Sequence, residues 1–238
     1  MAEYQTAKNY VDTSQSIDVG LRAHMNKVYG LMAVAMIITG AVAFAVGTTP
    51  ALVSAIFGTW LQWVVMLAPL GVVFMFGAKI HSMSVATAQL VFWVFAALIG
   101  LSISYIFVVY TGISIAQTFF TTAIAFAALS LYGYTTKRDL TAMGSFLFIG
   151  LVGIILASIA NWFFQSPVMH LAISAIGVLI FAGLTAYDTQ NIKNTYIQFR
   201  SAYGEEYAEK MGIMGALSLY LNFLNMFMFL LQFMGNRD

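Results

Sequence analysis

Residues 183–190 read Gly183-Leu-Thr-Ala-Tyr-Asp-Thr-Gln190 and close the apolar run Val168–Tyr187. Asp188 is the only carboxylate set against any long apolar run of the chain. A charge facing hydrocarbon costs about 2.5–3.5 kcal/mol on insertion scales. An acid at this place either sits at a water interface or is held there for a purpose. The run before it is 20 residues long, and a bilayer core of about 30 Å needs about 20 apolar residues as helix. It reads as a membrane helix that ends on a carboxylate.

Six further runs of the same kind surround it: Val28–Gly47, Trp60–Ala78, Val85–Tyr110, Ile113–Tyr134, Ala142–Phe164 and Met211–Met234. Their lengths fit helices, because barrel strands need only about ten residues. The chain is 61% hydrophobic and 8% charged, where a soluble domain carries about 25% charged residues. The expected fold is an all-α integral membrane protein with seven transmembrane helices. Residues 1–25 are expected to form a polar, flexible cytoplasmic tail, and residues 26–238 the transmembrane domain. The tail lacks a basic stretch followed by an apolar core, so it does not read as a secretory signal peptide. A net charge of +1 offers no excess to attract nucleic acid, and the absence of cysteine excludes disulfides and thiolate chemistry.

Charge in the connections gives an orientation. Lys8, Arg22 and Lys27 precede the first run, Lys79 follows the second, Lys137 and Arg138 the fourth, and Lys193, Arg200 and Lys210 the sixth. Only Arg237, of ten basic residues, falls on the other side. The positive-inside rule makes the crowded side cytoplasmic, with the N-terminus inside and the C-terminus outside. Trp60, Trp63, Trp162 and Tyr110 fall near outer helix ends, where amphipathic rings favour the interface.

The seventh run carries a polar stripe. Gly215, Ser218, Asn222, Asn225 and Gln232 recur at spacings that keep one helical face. Amides in hydrocarbon must find partners, so this face meets protein or a wet cavity. The seventh helix is therefore expected to be central. Gly144, Gly150 and Gly153, with Gly177 and Gly183, permit close helix approach. Asn191–Lys210 is the one sizeable soluble element, ending in a short amphipathic piece that leads into the seventh helix.

Four ordered stretches carry a resemblance. They are Phe107-Val-Val-Tyr-Thr-Gly-Ile-Ser-Ile-Ala-Gln-Thr-Phe119, Ser130-Leu-Tyr-Gly-Tyr-Thr-Thr-Lys-Arg-Asp-Leu140, Gly183-Leu-Thr-Ala-Tyr-Asp-Thr-Gln190 and Ala216-Leu-Ser-Leu-Tyr-Leu-Asn-Phe-Leu-Asn225. Together, from about Leu21 to the end, the chain resembles the Bax-inhibitor family, also called the transmembrane Bax inhibitor motif family, in its bacterial branch. The resemblance implies seven helices with the last central, and a calcium leak that responds to pH through two aspartates on the sixth and seventh helices. The first matches Asp188; the second falls on Asn222. The resemblance also implies a basic latch at the end of the second helix, for which Lys79 is the nearest candidate. An Asp–Asn pair holds one titratable group where an Asp pair titrates as a coupled unit. The expected pH response is accordingly weakened, shifted or absent.

Calcium prefers six to eight hard oxygen ligands. Asp188 with oxygens of Asn222, Ser218, Thr185 or Thr189 would give a weak, transient site, which suits an ion that must also leave, with Asn225 a further accessory residue. No resident cofactor is expected, and calcium enters as the transported ion. Asp188 and Asn222, with Lys79 as accessory, are expected to close an ion path at the cytoplasmic ends of helices six and seven. Enzymes are not expected: an intramembrane aspartyl protease needs a second aspartate in the next helix, and a serine protease would have to draw on Ser102, Ser104 and His170. A Schiff-base receptor needs a lysine inside a late helix, and Lys210 lies only at an edge. The alternative is a non-conducting interaction protein that modulates a membrane-bound protease, through the tail, or a stress response.

Overall fold

A computed structural model of the chain describes the backbone of residues 2–237, with side chains at residues 19–198 and 204–237. The expected helices form. They are α1 (Ala2–Gly47), α2 (Pro50–Phe57), α3 (Leu61–Lys79), α4 (Val85–Ile103), α5 (Ile106–Val109), α6 (Gly112–Thr135), α7 (Thr141–Phe164) and α8 (Pro167–Met234), with a 3-10 turn at Ile80–Ser82. Among the described residues, seven spans are long and apolar enough to cross a membrane. The sixth, Pro167–Gln198, and the seventh, Gly204–Met234, are the two limbs of α8. They fold back on each other at Gly204, whose φ of 81° and ψ of −179° lie in a region open essentially to glycine alone.

Several boundaries differ from the sequence expectation. The loop between the first two spans contains α2, started by Pro50 in the first turn, where its fixed φ suits a helix and its missing N–H is not needed. The third span is interrupted after Ile103: the Ser104 hydroxyl donates to the Leu101 carbonyl at 2.8 Å, and α5 restarts at Ile106. The backbone of α1 is helical from Ala2, where a flexible tail was expected. No glycine or proline lies between Ala2 and Val19, so a helix nucleated in the membrane propagates outward cheaply. The side chains of this stretch and of Arg200 lie outside the described residues.

Burial is concentrated on the seventh span. Of its most apolar window 61% is buried, against 17–39% in the other six. Leu219, Tyr220 and Leu231 are fully enclosed. Thr39 of α1 donates its hydroxyl to the Ala96 carbonyl of α4 at 2.8 Å. The Tyr220 hydroxyl lies 2.6 Å from Thr39 Oγ1. Because the single Thr39 proton goes to Ala96, Tyr220 is the donor of the second bond. One polar chain thus ties three spans through an apolar core. Trp60, Trp63 and Trp162 are exposed at span ends, but Tyr110 is buried. The C-terminus folds over it: Arg237 pairs with Tyr110 as an isolated bridge, and its guanidinium carbon lies 5.8 Å from the ring centre.

The four quoted stretches meet one another. Gly133 of α6 lies against the Ala186 backbone of α8, so close that a β-carbon would sit 2.2 Å from the Ala186 oxygen. Gln190 accepts from the Leu140 N–H at 2.9 Å and donates to the Arg138 carbonyl at 2.8 Å. Lys193 Nζ donates to the Tyr134 carbonyl at 2.8 Å. Phe119 packs edge-on against Phe223 with ring centres 5.4 Å apart. Lys27, Arg138, Lys193 and Lys210 share one end of the bundle, where Lys27 pairs with Glu209 and Lys210 with Glu206 at 2.9 Å. Arg237 is at the other end, beside Thr111, whose N–H donates to the Asn236 carbonyl at 3.2 Å.

Candidate functional site

Asp188 stands on the inner face of the sixth span, half-buried. Asn222, on the polar stripe of the seventh span, donates from Nδ2 to Asp188 Oδ2 at 2.7 Å. Asn222 is 5% exposed, so its amide is held by packing and the carboxylate is held by the amide. Open space adjoins the carboxylate.

That space is two cavities. The first, of about 230 Å³, opens between α1 and the two limbs of α8 and is lined by His24, Asp188, Asn191, Thr195, Tyr207 and Ser218 among others. The second, of about 1030 Å³, is a groove between α7 and both limbs. Asn222 and Asn225 lie in its wall with Ser145 and Ser158 of α7. Asp188 and Ser218 line both. The Asp188–Asn222 bond therefore sits where the two spaces adjoin.

The other expected residues divide. Ser218 is at the junction, and Asn225 is in the groove wall, its Nδ2 donating to the Leu221 carbonyl of its own helix at 2.8 Å. Gln232, further along the stripe, accepts from the Ser174 hydroxyl at 3.3 Å. Thr185 and Thr189 are fully buried on another face. Thr185 donates to the Phe181 carbonyl at 2.7 Å, and Thr189 donates to the Thr185 carbonyl at 2.8 Å with Ser130 of α6 3.4 Å away. Neither lines either of these two cavities, where a place beside Asp188 was expected. For Thr189 the reason is helical rotation, since one residue past Asp188 turns the side chain by about 100°; Thr185, three residues before it, is instead turned back onto its own helix at the Phe181 carbonyl. Lys79 is exposed at the end of α3 and lines neither cavity. It is not brought to Asp188.

The residues that do share the Asp188 face are Asn191 and Thr195, three and seven positions on. That spacing was available in the sequence and is the signal that finds them. His24 could not be found this way, because it reaches the first cavity from α1. It stacks on Tyr196 with ring centres 4.4 Å apart. Among the described residues no group of three His, Cys, Asp or Glu is placed to hold a metal. The donors at the junction are one carboxylate, amides and hydroxyls.

The family described as "Inhibitor of apoptosis-promoting Bax1" matches residues 21–238. The chain belongs to the Bax-inhibitor family. Relatives in this family align along nearly the whole length. An uncharacterized protein, RP147, of Rickettsia prowazekii (strain Madrid E) is 43% identical over 100% of this chain and 99% of its own. An uncharacterized protein of Caulobacter vibrioides is 44% identical over 94% and 92%. The inner membrane protein YbhL of Escherichia coli (strain K12) is 42% identical over 92% and 93%. The chain is thus a Bax-inhibitor-family membrane protein with seven apolar spans.

Proposed function

We propose that this chain forms a leak path for cations, calcium foremost, with Asp188 as the carboxylate that an ion meets midway. The observation that carries the reading is the shared wall: Asp188 and Ser218 line both cavities, and Asn222 holds the carboxylate at their junction. Asp188, Asn191, Thr195 and Ser218, all bearing side-chain oxygens, line the first cavity, and Asn222 and Asn225 line the groove. One carboxylate among neutral oxygens binds calcium weakly, and conduction needs binding loose enough for release. In the packed state the Asn222 amide occupies one carboxylate oxygen, so the bond acts as a closure that an entering ion competes against. The protein sits in the bacterial inner membrane, as the relative YbhL does by its name. Its N-terminus is cytoplasmic and its C-terminus outside, as the basic residues crowded at one end favour.

Calcium flux into proteoliposomes of the pure protein tests this. Asp188→Asn and Asp188→Ala are both expected to cut calcium flux severalfold. Unchanged flux in both variants refutes the assignment. One observation favours a second reading, a protein that modulates a membrane-bound protease: α1 runs about 69 Å as a continuous helix of 46 residues. That is roughly twice the bilayer core of about 30 Å, so its N-terminal half projects as a rigid handle. Deleting residues 1–18 leaves a leak intact and abolishes a protease effect, so the two readings give opposite results.

A further inference from the structure

A third cavity, of about 790 Å³, lies apart from the Asp188 junction, between α1 and α6. These helices both pack on α8 and leave a cleft between them. Arg22, Met25, Asn26 and Tyr29 supply one wall at helical spacing, and residues of α6 from Phe126 to Tyr134 supply the other. The helices run antiparallel, so Arg22 and Tyr134 are at the same end and Tyr29 faces the level of Phe126. The cleft is about 10–12 Å long by helix rise. It lies within the spans Val19–Gly47 and Gly112–Thr135.

Its chemistry is graded. Met25 and Phe126 form a buried apolar floor, and Leu131 an exposed apolar rim, 63% accessible. Arg22 is the one charged residue of the lining, exposed at the water end. No carboxylate lines the cleft, and Arg22 makes no ion pair among the described residues. A cation at the membrane surface above an apolar slot facing the bilayer matches a molecule with an anionic head and a hydrocarbon tail. A guanidinium meets a phosphate through paired N–H donors, and basic pockets between membrane helices on the cytoplasmic side take such heads.

We propose that this cleft is a binding site for an anionic phospholipid, its phosphate on Arg22 and an acyl chain over Met25, Phe126 and Leu131. The occupant reaches the site sideways from its own leaflet and does not cross the Asp188 junction, so the site stands whether or not the chain conducts.

The test is native mass spectrometry of the full chain in detergent, titrated with phosphatidylglycerol or phosphatidylcholine. Wild type is expected to retain phosphatidylglycerol in preference to phosphatidylcholine. Arg22→Gln is expected to weaken phosphatidylglycerol binding about fivefold, the value of one basic residue near an anionic head. Leu131→Trp fills the slot and is expected to lower binding of both lipids with the charge unchanged. Lys137→Gln, an exposed charge at the same end but outside the cleft, is expected to leave binding as it was. Equal loss in Arg22→Gln and Lys137→Gln overturns the proposal, because surface charge alone would then explain it. Wild-type binding in both Arg22→Gln and Leu131→Trp overturns it as well. A dimer that Leu131→Trp abolishes would assign the cleft to a second copy of the chain instead.

Discussion

Gly133→Ala probes the contact that sets the position of Asp188. Gly133 lies against Ala186, two residues before the carboxylate, and the β-carbon of an alanine would stand 2.2 Å from the Ala186 oxygen, 2.9 Å from its carbonyl carbon and 3.0 Å from its α-carbon. All three are backbone atoms, so no rotamer change relieves the clash. Ordinary contact begins at 3.4 Å, and α6 must move off the sixth span by about 1 Å to reach it. Overpacking of this kind costs about 1–3 kcal/mol. For a chain of this size each kcal/mol lowers Tm by about 2–4 °C, so a fall of about 4–8 °C is expected at the middle of the range. Gly153 is the control. It sits in α7 with nothing within 4 Å of an added β-carbon, and glycine inside a helix is about 1 kcal/mol worse than alanine. Gly153→Ala should therefore hold or raise Tm. Thermal unfolding in one detergent compares the two. The reasoning fails if Gly133→Ala melts with wild type, or if both variants fall alike. A further consequence is local: the shift displaces Asp188 from Asn222, so calcium flux should change in Gly133→Ala and stay constant in Gly153→Ala.

Other expectations follow from the same geometry. Asn222→Asp places a second carboxylate within hydrogen-bond reach of Asp188; such a pair shares one proton and titrates as a unit. Calcium flux should then acquire a steeper pH dependence than wild type, and an identical pH profile would remove Asn222 from the site. Asp139, in the water-facing connection before α7, accepts from the Thr141 hydroxyl at 2.6 Å and the Thr141 N–H at 2.9 Å, which holds its carboxyl below the ordinary value of 3.8. A carboxyl lowered in the folded state contributes stability above its unfolded value and loses it as pH falls through the folded one. Thr141→Ala should raise the Asp139 titration toward 3.8, read from its carboxyl carbon shift, and an unchanged midpoint would refute the hydroxyl's role.

The spans were legible from length and composition and the polar stripe from its period, because both are properties of single helices. Leu61–Lys79 is apolar but for Gln62 and its terminal lysine, and the stripe from Gly215 to Gln232 recurs on one face. Neighbour identity is another matter. Asn222 was legible as the partner of Asp188 only through the family resemblance. Thr185 and Thr189 looked near in sequence, yet rotation turns Thr189 toward Ser130 of α6 and the Thr185 hydroxyl bonds the Phe181 carbonyl of its own helix. Asn191 and Thr195 were overlooked although three- and seven-residue spacing places them on the Asp188 face. Tyr110 resembles any interfacial ring until the C-terminus is seen to cover it. His24, from another helix, left no local signal. Lys79 failed for a similar reason: the end of a span fixes its depth but not the direction of its side chain.

The bend at Gly204 lies sixteen residues after Asp188 and eighteen before Asn222. The partners are marks on a folded ruler, measured from a common crease along one chain. Each residue inserted in either limb slides its mark by about 1.5 Å and swings it by about 100°. A single insertion between Asp188 and Asn222 would therefore point one partner away from the other, even where it falls in a water-exposed turn. Exposed turns elsewhere absorb length changes readily, as the connection around α2 should. This one keeps count.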